Sequence, residues 1–197
     1  MKRLILLTVL TLIGWIGATN TLRAEKYGKL FGVDVTDKNC HDLVKAVNDY
    51  AYKYSIKYFE ASGKLSYDHS THTFTMENLT LSCKLGGLDG IAIRPGDKIK
   101  NSQLKIEVIG TNTVNCKTAL IIHGEMGKGS LDIKGPGTLT VNCEDGHYCA
   151  TVEMRAGTYL DIHCKELCIN VKNNAGIGTH RQPSPSTVSV HEGAFLK

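Results

Sequence analysis

The chain has 197 residues, with 23 Lys and Arg against 19 Asp and Glu, a formal net charge of +4, 42% hydrophobic residues and seven cysteines. Such a balance suits one domain with a sizeable core. It excludes a disordered polyelectrolyte and a strongly basic nucleic-acid binder, which needs clustered cations to neutralise phosphates.

In chain order, Lys2 and Arg3 lead into an apolar run from Leu4 to Ile16, followed by small and polar residues up to Ala24. This is the layout of a secretory signal peptide. The run is shorter than the roughly 20 residues that span a bilayer, so no permanent membrane span is expected. Residues 1–24 are read as a leader cleaved after Ala24, with Ala18 as the rival site, and the mature chain as exported: secreted, periplasmic or at the cell surface. Cleavage after Ala24 removes Lys2, Arg3 and Arg23 and no acid, leaving 20 basic against 19 acidic residues. No nucleic-acid partner is expected of so neutral a surface.

Residues 25–63 form an N-terminal region of their own. Asn39 or Asp42 can cap a helix whose apolar face uses Leu43, Val47, Tyr50 and Tyr54, at steps of 4, 3 and 4 that place them on one side. Beyond it, "KLSYDHSTHTFTMENLTLSC" alternates polar and apolar residues, with Phe74, Met76, Leu79, Leu81 and Cys83 on one side, the period of a strand with one buried face.

From 64 to 197 the chain repeats itself. "QLKIEVIGTNTVNC" at 103–116 returns as "SLDIKGPGTLTVNC" at 130–143, and again as "YLDIHCKELCINVK" at 159–172; "TVSVHEG" from 187 opens a fourth copy. Leu131 lies 27 residues after Leu104, Leu160 a further 29 and Val188 a further 28. A period in this range means a stacked repeat architecture, because one unit cannot bury its own apolar face. Each copy holds two alternating runs and a third short apolar run, "TALIIHG" at 118–124 or "CATVEM" at 149–154, with turns at Gly110, Gly135, Gly137, Gly146, Gly157, Asn173 and Asn174.

Three short strands per coil of about 27–29 residues predict an all-β fold, a parallel β-helix whose last coil is incomplete. Val114, Val141 and Ile169 then form one inward column, and Cys116, Cys143 and Val171 the next. The valine in that third place marks the cysteines as small apolar filler. The helix is expected to cover the raw apolar end of the first coil, while the uncovered last coil offers a strand edge for self-association.

These phrases resemble a known class. "FGVDVTDKNC", "GKLSYDHSTHTFTMENLTLS", "LKIEVIGTNTV" and "GSLDIKGPGTLTV" are similar to secreted bacterial right-handed parallel β-helix proteins described as carbohydrate-binding-domain proteins, within the pectin-lyase-like architecture. The resemblance covers residues 30–197 and implies a right-handed, exported, surface-associated fold with a glycan ligand. The chain departs from the pattern through "HDLVKAVNDYAYKYSIKYFEA", its many cysteines and its early stop.

Three constellations bear on chemistry. The outward column Lys105, Asp132, Asp161 and Ser189 brings two carboxylates about 5 Å apart, the separation used by retaining glycosidases. Stacked acids also suit calcium, and an ordinary exposed ion pair with Lys105 is the plain alternative; the sequence places no other catalytic group beside them. Next, His147, Cys149, His163, Cys164 and Cys168 are the residue types that bind zinc, whereas in an exported chain a disulfide among Cys149, Cys164 and Cys168 is the simpler reading. Finally, Thr113, Asn115, Thr140, Asn142 and Asn170 form an outward stripe able to hydrogen-bond sugar hydroxyls, or simply to bond to one another along the stack. Aromatic sugar platforms are not at hand there: Trp15 lies in the leader, and nine of the twelve Tyr and Phe residues precede residue 75. Together these readings point to a non-catalytic β-helix that binds glycan or another surface ligand on a strand face and needs no cofactor. A polysaccharide lyase or hydrolase and a self-stacking structural unit are the alternatives.

Overall fold

The structure, a computed structural model, describes residues 25–57, 59–83, 91–92, 103–116, 121–122, 130–143, 150–154, 159–172, 175–179 and 187–197. The expected leader lies outside them. The described residues form β1 (Lys26–Leu30), β2 (Val33–Thr36), α1 (Leu43–Lys53), β3 (Phe59–Asp68), β4 (Thr73–Cys83), β5 (Ile91–Ala92), β6 (Gln103–Ile109), β7 (Thr111–Cys116), β8 (Ile121–Ile122), β9 (Ser130–Cys143), β10 (Ala150–Met154), β11 (Tyr159–Val171), β12 (Ala175–Thr179) and β13 (Thr187–Val190). The described residues are therefore all-β apart from one short helix. Among the described residues no helix is long and apolar enough to cross a membrane.

Two sheets account for the strands. One runs β12-β10-β8-β5-β1-β2, the other β13-β11-β9-β6-β4-β3 with β7 between β4 and β9. In the second sheet every pairing from β4 to β13 is parallel. The two hairpins β1–β2 and β3–β4 and the β1–β5 contact are antiparallel.

Register follows the sequence repeat, with one shift between β9 and β11 at Cys164 to Glu166, where β11 is one residue shorter than β9. Leu104 faces Leu131 and Leu131 faces Leu160; Val114 faces Val141, and Val141 faces Ile169. Inward positions along these strands are buried, with Leu104, Ile106, Ile133, Val114, Val141, Leu160 and Ile162 all at 0–1% exposure, each contributing roughly 1.5–3 kcal/mol of burial. The columns lose cover towards the end of the stack: Ile169 and Val171 in β11 are half-buried, and Val188 and Val190 in β13 are 42% and 47% exposed.

Two of the three strands expected per repeat turn out to be continuous. β9 and β11 run through the corner as single strands of 14 and 13 residues, while β6 and β7 are parted at Gly110, whose φ is +69°. The corner is crowded: a Cβ on Gly137 would run into the Gly110 carbonyl oxygen and lie 2.8 Å from both Gly110 N and Val108 O.

Asn112 locks this corner. It occupies the inward place held by Leu139 and Leu167 in the neighbouring strands and is fully buried. Its Oδ1 accepts from Leu79 N at 2.9 Å, and its Nδ2 donates to Ile109 O at 3.0 Å and Thr138 O at 3.3 Å. One amide thus joins backbone from three successive strands, and its own burial leaves no polar group wanting.

At the N-terminal end, Asp42 is the cap: its carboxylate accepts from Lys45 N at 2.9 Å. Asn39 serves the preceding turn instead, accepting from Thr36 N. The buried face of α1 is Leu43, Val47 and Ala51, with Tyr50 half-buried and Tyr54, beyond the last turn, 56% exposed. Helical spacing from Val47 favours Ala51 at i+4, and the helix stops before Tyr54 can complete the stripe. Across from it lies β3, the edge of the parallel sheet. Asn48 meets that edge with both amide groups, Nδ2 donating to Ala61 O at 2.9 Å and Oδ1 accepting from Ala61 N at 3.0 Å, which satisfies backbone that would otherwise invite another strand.

The tight link from β3 to β4 is organised by Asp68. Its carboxylate accepts from the Ser70 hydroxyl at 2.7 Å, Ser70 N at 2.8 Å and the Thr71 hydroxyl at 3.0 Å, and these bonds hold its pKa down to about 2.

Two outcomes follow. Gly137→Ala should destabilise the fold by about 1–3 kcal/mol in urea unfolding, since the new methyl meets backbone. Gly176→Ala, whose Cβ would sit 3.4 Å from Ile169 Cγ2 in ordinary contact, should change it by less than about 1 kcal/mol. Because Asp68 is depressed in the folded state, its stabilising contribution is present above pH 4 and is lost as pH falls from roughly 4 towards 2. Acid titration of Asp68→Asn should show that part of the unfolding profile flattened.

Candidate functional site on the outer face of the parallel sheet

Alternation puts every second residue of β6, β7, β9, β11 and β13 on the outer face, and parallel register lines equivalent residues up about 4.8 Å apart. Thr80, Thr113, Thr140 and Cys168 form one row. Ser82, Asn115, Asn142 and Asn170 form the next. All five residues of the expected stripe are therefore brought together on one face.

The asparagines are already engaged with one another. Asn142 Nδ2 donates to Asn115 Oδ1 at 2.8 Å, and Asn170 Nδ2 donates to Asn142 Oδ1 at 2.8 Å. Each bond uses one amide hydrogen and one lone pair, so the row is first a tie between strands, and what it offers a ligand is the remaining capacity. Thr113 and Thr140 beside it are half-buried, presenting hydroxyls from a rigid support.

Nearer the start of each strand, Lys105, Asp132, Asp161 and Ser189 fall in a row, Asp132 and Asp161 on adjacent strands. The structure adds a partner that sequence reasoning did not place there. His191 Nε2 lies 3.3 Å from Asp161 Oδ1, and the His191 ring stacks on His163 with centroids 3.7 Å apart and planes 15° from parallel. Its signal was in the repeat, since His191 follows Val190 as His163 follows Ile162. Lys105 stands opposite Asp132 in register, yet Asp132 Oδ1 is sealed from solvent with no hydrogen-bond partner.

The histidine and cysteine constellation is split. His147 and Cys149 lie outside the described residues. His163 is exposed on the outer face, while Cys164, its neighbour in the same strand, is 0% exposed on the inner one, because consecutive strand residues point to opposite faces. Cys168 lies opposite Thr140 in the outer row. Among the described residues no three His, Cys, Asp or Glu are placed to hold a metal ion.

The six described cysteines are thiols rather than disulfides, so Cys164 and Cys168 are not bonded to each other. Cys83, Cys116 and Cys143 stack in register on the inner face, adding Cys83 to the column expected of Cys116 and Cys143. Burial first, then the neighbouring Cys143, pushes the Cys116 thiol pKa up, and burial does the same to Cys164. These groups are apolar filler with poor access to the reactive thiolate.

Compared with known proteins, the chain matches no family model, no curated protein and no solved structure.

Thiol accessibility gives a direct check. Maleimide added to the native protein should modify Cys168, which is half-buried, well before Cys40, Cys83, Cys116, Cys143 or Cys164, which are at most 3% exposed. Peptide mass spectrometry after timed quenching should find those five labelled only once denaturant is present.

Proposed function

We propose that the chain is an exported right-handed parallel β-helix, closed at its first coil by the N-terminal helix, that binds a glycan along the outer face of its long sheet without acting on it. The observation that carries this reading is the in-register polar surface: identical hydroxyls and amides from Thr113 and Thr140 and from Asn115, Asn142 and Asn170 recur at the strand spacing on one rigid face. A saccharide chain also repeats its hydroxyls at regular intervals, so a fixed row of donors and acceptors can meet several of them with little ordering cost. Two sheets of stacked strands and the helix beside the first of them support the architecture. The residue pattern of a leader and the resemblance to secreted carbohydrate-binding-domain proteins support export and the ligand class.

A second reading is glycoside hydrolysis. Asp132 and Asp161 stand at a spacing close to the one retaining enzymes use, and the imidazole of His191 beside Asp161 supplies the titratable neighbour that the sequence alone did not.

Glycan-array screening followed by calorimetry separates these readings from each other and from neither. The expected result is a saccharide bound intact, with Thr113→Val plus Thr140→Val weakening it by roughly tenfold, as the loss of two hydrogen bonds worth about 0.5–1.5 kcal/mol each implies. Release of new reducing ends, abolished by Asp161→Asn, would establish the second reading instead. An array with no bound saccharide would remove the glycan reading altogether.

A further inference from the structure

The last coil is held to the stack more weakly than the coils before it. β13 has four residues, lies at the end of its sheet against β11, and leaves Val188 and Val190 half-exposed. After a turn in which Ala194 N donates to His191 O at 2.9 Å, the chain returns to β11: Leu167 N donates to Phe195 O at 2.8 Å, Lys197 N to Leu167 O at 3.0 Å and Ile169 N to Lys197 O at 3.1 Å. A segment with little buried apolar surface opens at low cost. A single side-chain contact can therefore decide whether residues 187–197 stay docked.

One such contact spans the junction. His191 N donates to Ile162 O at 3.0 Å, and from that docked position its ring lies flat on His163 of β11, with centroids 3.7 Å apart. Its Nε2 is 3.3 Å from Asp161 Oδ1. On the other side of His163, Lys134 of β9 stands in register. Lys165 and Glu166 follow along β11, and Glu192 follows His191. Asp132 of β9 faces Asp161. One strand further off, Glu107 and Lys105 of β6 face Lys134 and Asp132.

These neighbours make the effects of two protons unequal. The first settles on His191, where it turns the contact with Asp161 into an ion pair and strengthens docking. The second has to settle on His163, between a charged imidazole stacked on it and Lys134, so docking then sets like charges in one column. When residues 187–197 leave, they carry His191 away, and both rings take protons without that penalty. Docking is therefore tightest with one proton on the pair, and it loosens as pH falls further through the ordinary imidazole range, about 6.5.

We infer that the stacked His163 and His191 form an acid-sensitive clasp, which releases residues 187–197 from β11 when both rings are protonated. Release bares the edge of β11 beside Leu160 and Ile162, both fully buried in the docked state, and an uncovered strand edge is a template for another strand. The clasp does not depend on the glycan reading.

The experiment is amide hydrogen exchange followed by NMR on the full chain at about pH 8, 6.5 and 5, with each rate compared with that of an unstructured peptide at the same pH. The amides of Leu167, Ile169, His191 and Lys197, which bond across the junction, should be best protected near the middle value and lose roughly tenfold or more of that protection at the lowest. Asp68 loses its proton below this range and does not contribute. His163→Phe, which keeps a flat ring at an exposed position and removes the charge, should abolish the acid loss; should it fold poorly, His163→Gln replaces it. Asp161→Asn should make the loss begin at higher pH. Protection that does not change on acidification, or an acid loss of equal size in the His163 variant, overturns the clasp. So does an Asp161→Asn profile identical to that of the unaltered chain, or a loss shared by the amides of Val114 and Val141 in the middle of the sheet, which marks general unfolding.

Discussion

Every inward side chain of the parallel sheet must fit between the equivalent side chains of the strands on either side, about 4.8 Å away in each direction. This restricts the sequence more tightly than burial alone. A residue such as Val141 has to match Val114 on one side and Ile169 on the other, so a change in volume is felt in two neighbouring strands. The repeat in the sequence is the record of that restriction: Leu104, Leu131 and Leu160, or Ile106, Ile133 and Ile162, are alike because each is the packing surface of the next. The outer face inherits the same register without the same demand, and can therefore vary from Lys105 to Asp132 to Asp161 while its backbone stays fixed.

The corner of the sheet is where stacking is hardest to maintain, because a bend separates inner from outer paths. Here backbone lies against backbone at Gly110 and Gly137, and a polar side chain replaces an apolar one. Asn112 is the exception to its own column, and its exchange of leucine for amide is compensated by bonds to Leu79, Ile109 and Thr138. A leucine there would suit the column and strand those three backbone groups. The local rule is broken because a stronger one, satisfaction of buried backbone, applies at that spot.

This explains which features could be read from the chain in advance. The parallel columns were legible because alternation and repeat are both one-dimensional patterns, and an alignment of Leu131 on Leu104 is already a statement about contact. Asn112 stood out in the same alignment, as "GTNTVNC" against "GTLTVNC", but the reason for it is three-dimensional. The helix face was read one residue long at Tyr54 because propensity does not say where the last turn ends. Of the candidate site, the coincidence of Asp132 with Asp161 was legible, and so in principle was His191 with His163. The sequence left mutual bonding of the Asn row as one of two readings, and what no spacing could supply was the choice between them and the enclosure of one oxygen of Asp132.

Those last two facts change how the outer face should be weighed. Regular rows invite a reading as binding surface, yet regularity also lets identical side chains satisfy one another, and Asn115, Asn142 and Asn170 do so with two bonds of 2.8 Å. A row of unlike groups has no such solution. Lys105, the adjacent Asp132 and Asp161, and Ser189 form such a row, and Asp132 Oδ1 is left in it without a hydrogen-bond partner. Polar capacity that is already used holds the strands together, and only capacity that is both unused and exposed is open to a ligand. On this face the two rows lie side by side on one register, the like amides bonded to each other and the charged groups beside the stacked imidazoles of His163 and His191.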